Sequence, residues 1–249
     1  MAASPWILDD GPASIRVFCF PYAGGGASIY KGWQAGLPAG MRLCRVQLPG
    51  RETRFSEPAF HHMDPLAEAL LDGLRPHFAS GPYILFGHSM GGSIAAEITR
   101  RLVGGNGRPP LHLIVSASRP SHIPAPHPIH ALPDAEFRAA LARDGGTPSA
   151  VIESDELMGI FSPTLRADHA VVETWIRPRP ERIPVPITCI AGRRDSIVPH
   201  AIASTWQLHA GGGYRQIDID DGHFFLRNHA TALQNAIALA AAPMMETTV

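Results

Sequence analysis

A chain of 249 residues with 22 acidic and 21 basic side chains carries a formal net charge of −1, which excludes the electrostatic footprint of a non-specific nucleic-acid binder. Apolar residues at 45% and charged ones at 17% describe a globular domain rather than a disordered chain. A chain this long buries a full core without disulfides or a structural metal. The opening residues lack a basic n-region, and Asp9, Asp10, Gly11 and Pro12 interrupt the short apolar stretch before a signal-peptide core forms. The longest mostly apolar run, near residues 236–245, is shorter than the roughly 20 residues of a membrane span. Cys19, Cys44 and Cys189 are an odd count without a C-x-x-C pair, each in an apolar strand-like run. They read as buried free thiols of a cytoplasmic protein. Of the basic residues only Lys31 is a lysine, which reads first as coding bias.

In chain order, short apolar runs bounded by Gly or Pro predict strands at residues 15–20 and 43–48, a helix at 65–78, and a strand at 83–86. A helix at 89–103 and a strand at 112–117 follow. Strands at 187–191 and 215–219 and a helix at 229–241 complete the pattern. Strands alternating with helices predict a mostly parallel sheet flanked by helices, with the chemistry at the carboxyl ends of the strands. Between residues 119 and 184 the alternation breaks. A Pro/His-rich loop, helix-like runs at 134–143 and 154–176, and the Pro-punctuated residues 177–186 read as a helical lid insertion into a core of residues 1–118 and 185–249. Met158, Phe161 and Leu165 recur there at helical spacing, fit to pack a core or to wall an acyl channel.

The strand at 83–86 runs into Gly87-His88-Ser89-Met90-Gly91-Gly92, and helical periodicity starts at once. G-x-S-x-G between a strand and a helix is a nucleophile elbow: it exposes the Ser89 hydroxyl above the sheet, and glycines flank it because strand and helix cross closely. His88, beside the nucleophile, reads as a packing residue. A serine nucleophile needs a base and an orienting acid, in the chain order serine, acid, histidine in such a fold. Asp195 follows one strand and His223 the next. The loop after the strand at 112–117 offers no acid, and Asp220 and Asp221 lie too near His223 in sequence to orient it easily. Asp195 is therefore the expected acid. Two N–H donors for the tetrahedral oxyanion are expected from Met90 and from the loop at residues 21–27, with Ala23 preferred and Gly24 second. That glycine run has neither the phosphate-loop ending nor G-x-G-x-x-G spacing, and no cofactor is expected. Thirteen histidines invite a metal, but His61-His62 and the trio His122, His127 and His130 lack zinc-type spacing, so no metal site is expected.

Phe20-Pro21-Tyr22-Ala23-Gly24-Gly25-Gly26, Gln47-Leu48-Pro49-Gly50-Arg51-Glu52, the elbow, Gly222-His223-Phe224-Phe225-Leu226, and in the insertion Leu165-Arg166-Ala167-Asp168 together resemble the type II thioesterases. These are stand-alone α/β-hydrolases that serve polyketide and nonribosomal peptide synthases. The resemblance runs from about residue 15 to 240. It implies hydrolysis of stalled or aberrant acyl thioesters on the phosphopantetheine arm of an acyl or peptidyl carrier protein. It also implies the same triad, with Met90 and Ala23 as oxyanion donors. A small carboxylesterase would use the same triad and is the alternative. A malonyl-type acyltransferase shares G-H-S-x-G but needs another fold, and a non-catalytic module would have lost triad members. The enzyme is expected to act in trans, as a monomer, without nucleic acid or membrane. A local patch among Arg51, Arg54, Arg166, Arg179 and Arg182 is expected to hold the carrier.

Overall fold

The apolar runs pair into one seven-stranded sheet in the computed structural model, which describes residues 4–245. The outermost ends of the expected core, residues 1–3 and 246–249, lie outside the described residues. Strands β1 (Ile7–Leu8), β2 (Ile15–Phe20), β3 (Met41–Val46), β4 (Tyr83–His88), β5 (His112–Ser116), β6 (Ile187–Gly192) and β7 (Tyr214–Ile219) are arranged β1-β3-β2-β4-β5-β6-β7. Only β1 runs antiparallel, through Ile7 opposite Val46 and Leu8 opposite Arg45. Sequence periodicity does not find β1, because two residues carry no alternation. The strand order reverses between β2 and β4, where Phe20 pairs with Gly87. A crevice at that switch point is where an open α/β sheet binds ligands.

Successive residues of the central strands enter opposite cores. Phe18, Phe20, Tyr83 and Leu85 pack with α1 (Met63–Ala79) and α2 (Met90–Gly104). Val17, Cys19, Ile84 and Phe86 pack with Tyr30, Trp33 and α7 (Ala230–Met245). Burial on both faces is why these strands read as continuous apolar runs. Element boundaries shift from expectation by up to about four residues, and two strands end early. Strand β3 stops at Val46, and the Gln47 side chain just beyond it reaches the neighbouring loops, accepting from Ala27 N and donating to Arg51 O. Strand β5 stops at Ser116 because Ala117 adopts a positive φ of 46°.

Between β5 and β6 lie α3 (Asp134–Asp144), α4 (Ser149–Ile152) and α5 (Asp155–Glu173), and α6 (His200–Ala203) follows β6. Ser154 caps α5 by accepting from Leu157 N. These inserted helices share a small core of Ile129, Phe137, Ala140, Leu141, Met158 and Leu165. Phe161, expected on the same face, is 39% exposed and meets Phe55 edge-on. No helix among the described residues is long and apolar enough to cross a membrane.

Cys19, Cys44 and Cys189 are free and buried. Burial pushes Cys44 and Cys189 up to about 12 and raises Cys19 as well.

Burial acts in the opposite direction on imidazoles. It drives His112 and His209 down to about 4, and His88 well below its ordinary value. In the window from about 6.5 down to about 4 the unfolded chain binds protons at these sites and the folded chain does not, so folding stability falls as pH falls. Despite the upward push of burial, Arg100, Arg101 and Arg177 hold the buried Glu97 at about 2, and hydrogen bonds from His169, His130 and the Ile129 and His130 amides hold Glu173 at about 2, which extends the loss below about 4.5. The thermal midpoint, followed at constant ionic strength, is expected to decline steadily from about pH 7 to about pH 4. A flat midpoint across that range would contradict the burial of these neutral histidines.

Candidate active site

Ser89 sits between β4 and α2 with φ 53° and ψ −117°, a conformation that costs a non-glycine residue energy and persists only where the surroundings enforce it. The enforcement is close packing. A Cβ on Gly87 would lie 2.0 Å from Gly91 O, and one on Gly91 would lie 2.0 Å from Phe20 O. The elbow's glycines are thus required by the approach of β2, β4 and α2.

The loops after β6 and β7 bring the two distant partners in. Ser89 Oγ is 2.9 Å from His223 Nε2, and His223 Nδ1 is 2.8 Å from Asp195 Oδ2. Asp195 Oδ1 accepts from the Ile197 and Val198 N–H groups at 2.8 Å each, which fixes the carboxylate. With Nδ1–H donating to that carboxylate, Nε2 is left to accept the serine hydroxyl proton. The rival acids are engaged elsewhere. Asp221 accepts from Gly222 N, Asn228 Nδ2 and His229 Nε2, and Asp220 faces Arg194.

His88 does more than pack. Its fully buried ring donates from Nε2 to the His223 carbonyl at 2.9 Å, and Nδ1 accepts from Ser116 Oγ at 2.9 Å. Burial holds the ring neutral, which this donor–acceptor arrangement requires. It braces the backbone of His223, a contact invisible in sequence because the two lie 135 residues apart.

Of the N–H groups expected near the reacting oxygen, Met90 heads α2, where the first amides lack intrahelical partners. Among the described residues neither Met90 N–H nor Ala23 N–H has a hydrogen-bond acceptor. Gly24 N–H, the second choice, is committed to Asp168 Oδ2 at 2.7 Å. Ala23, Ser89 and Met90 line one cavity of about 970 Å³, whose other wall comes from the insertion through Ile129, Leu132, Ala140 and His169.

The expected arginine patch is not assembled. Arg51 is buried against Asp168, and Arg54 is buried against Glu57 beneath the Trp6 ring, its guanidinium carbon 4.1 Å from the ring centroid. The loop after β3 folds back under α5, and burying a guanidinium there requires a carboxylate partner. Arg166 pairs with Asp134 and lies over Phe137. Arg179 and Arg182 alone of the five stay exposed. The histidine trio is dispersed, with His122 against His209, His130 against Glu173 and His127 on the cavity wall. No cluster of three or more metal-ligating side chains occurs among the described residues.

The doubly covered parallel sheet and the elbow serine at its switch point define a serine hydrolase of the α/β-hydrolase type. The chain belongs to the thioesterase family: residues 15–239 match the model of the Thioesterase domain. It is 34% identical over 240 residues to "Linear gramicidin dehydrogenase LgrE" of Brevibacillus parabrevis, covering 94% of this chain and 91% of that protein. The RedJ thioesterase from the prodiginine biosynthetic pathway of Streptomyces coelicolor superposes with a TM-score of 0.83 at 33% identity, over 92% of this chain and 86% of that one. The type II thioesterase BorB from the borrelidin biosynthetic cluster superposes with a TM-score of 0.82 at 33% identity, over 94% and 97% of the two chains.

Proposed function

We propose that this thioesterase removes acyl groups from the phosphopantetheine arm of acyl or peptidyl carrier proteins in the cytoplasm, clearing stalled or aberrant intermediates of polyketide or nonribosomal peptide assembly. The observation that carries the reading is the Ser89–His223–Asp195 hydrogen-bond chain opening on a cavity walled by the inserted helices. The pathways named for RedJ and BorB support the choice of substrate. The name of LgrE calls that protein a dehydrogenase. Here the glycine run after β2 lacks dinucleotide-binding spacing.

In this mechanism Ser89 Oγ attacks the thioester carbonyl carbon while His223 Nε2 takes the hydroxyl proton, and Asp195 holds the ring and stabilises its positive charge. The oxyanion accepts from the Met90 and Ala23 N–H groups. Collapse breaks the carbon–sulfur bond, and the imidazolium gives its proton to the departing thiolate. Water then attacks the acyl-enzyme with His223 again as base, and release of Ser89 yields the free acid. Residues 119–184 act as the lid that shapes acyl access.

The test compares one acyl group on a carrier protein, on pantetheine and on a nitrophenyl ester, at several salt concentrations. The carrier substrate is expected to have the highest kcat/KM and to lose most of that advantage as salt rises. Replacing Arg179 and Arg182 by alanine is expected to raise KM for the carrier only a few-fold, because exposed pairs contribute about 0.2–1 kcal/mol each. The pantetheine substrate is expected to be unaffected. Equal salt dependence for carrier and pantetheine, with preference for the nitrophenyl ester, would favour a small carboxylesterase instead.

A further inference from the structure

We propose that Asp168 and Arg51 are positioning residues for the oxyanion site, so that transition-state stabilisation depends on α5 being seated over the loop after β2. This rests on the reading of Ala23 and Met90 as the oxyanion donors.

The loop that carries Ala23 is held from one side by a single buried clasp. Tyr22 to Gly25 form a tight turn in which Gly25 N donates to Tyr22 O at 2.9 Å. Within it Gly24 N donates to Asp168 Oδ2 at 2.7 Å. Arg51 donates from Nη1 to the same oxygen at 2.6 Å and from Nη2 to Oδ1 at 2.7 Å, a two-pronged pair. The guanidinium also donates to Gly25 O at 3.2 Å and, through Nε, to Pro49 O at 3.1 Å. The turn is therefore gripped at the amide of one glycine and the carbonyl of the next, immediately after the free Ala23 N–H. Asp168 and Arg51 are 3% and 7% exposed.

The rest of α5 seats on the same two loops. Leu165 fills the space a Cβ on Gly24 would need, and Thr164 Oγ1 donates to Gly50 O at 3.0 Å. Positions 164, 165 and 168 share one helix face, so a shift of α5 moves the contacts to both loops together. A buried pair of this kind is a poor source of net stability against an apolar replacement. Its geometry instead fixes where one backbone amide points. An N–H donor contributes to catalysis only when it already lies where the oxyanion forms.

The test uses the full chain with two variants, Asp168→Asn and the double replacement Arg51→Met with Asp168→Leu, the second leaving no unpaired buried charge. Each is compared with the parent for acyl-pantetheine turnover. Each is also tested for affinity toward a trifluoromethyl ketone bearing the substrate's alkyl chain, which forms a tetrahedral adduct on serine, and toward an unreactive thioether bearing the same chain. Losing one oxyanion donor costs about 10²–10³ in kcat, and loosening it is expected to cost about ten- to a hundredfold here. The expected result is that kcat falls with KM little changed, and that trifluoromethyl-ketone affinity falls by the same factor while thioether affinity holds. A merely structural role would not move the two ligands apart. If either variant binds the ketone as tightly as the parent, or changes only KM, the positioning role is overturned while the serine mechanism stands. If the parent forms no Ser89-dependent adduct with the ketone, the underlying mechanism falls first.

Discussion

Replacing Ser89 by alanine is expected to cut kcat by about a thousandfold or more and to abolish covalent labelling by serine-directed fluorophosphonates. The elbow leaves no substitute nucleophile in place. Met90 follows as the first residue of α2, and the Ser93 hydroxyl one turn on faces Ser118 at 3.2 Å. The substitution removes only the hydroxyl that His223 Nε2 contacts, and alanine meets no new steric demand beyond the positive φ serine already carries. Residual turnover would come from binding and from the backbone donors, which catalyse water attack weakly on their own. KM for acyl-pantetheine is expected to change little, since the cavity walls are untouched. Retained labelling in the alanine variant would mean that another residue is the nucleophile.

Asp195→Asn is expected to depress kcat by about ten-thousandfold while leaving the fold intact. The asparagine carbonyl can still accept from the Ile197 and Val198 amides, the contacts that fix the present carboxylate. Its amide group then faces His223 Nδ1 as a donor. The ring answers by placing its proton on Nε2, where it opposes the Ser89 hydroxyl instead of accepting from it. The loss is thus one of tautomer, not of packing, and the thermal midpoint should remain close to the parent value. Asp220→Asn and Asp221→Asn serve as the comparison, because both acids are tied to residues other than His223. Near-normal turnover for Asp195→Asn, with either comparison variant crippled, would move the acid to that position.

What the sequence made legible follows its local signals. Buried strands announce themselves as apolar runs between Gly and Pro, and the elbow, Asp195 and His223 each sit where such a run ends. Contacts made across large sequence separations were opaque. Whether Ala23 or Gly24 keeps a free N–H is decided by Asp168, 144 residues downstream. Arg51 read as a surface charge because a polar residue after a strand usually meets water. The carboxylate that lets it be buried lies 117 residues away on α5. The Leu165-Arg166-Ala167-Asp168 run carried the signal, since an acid among the apolar positions of a helix needs a cationic partner. Nothing local named Arg51 as that partner.

The three buried thiols acquire a particular meaning in an enzyme whose substrate is a thioester and whose product is a thiol. An accessible thiolate would accept the acyl group by direct exchange and trap it on the wrong atom, since the thiolate is the reactive form. Cys44 and Cys189, held at about 12, and Cys19, also raised, stay protonated and out of reach at neutral pH. Transfer of the acyl group onto the protein's own sulfur is thereby prevented. The same seclusion leaves the released pantetheine as the one thiol that a colorimetric disulfide reagent will count while the enzyme remains folded.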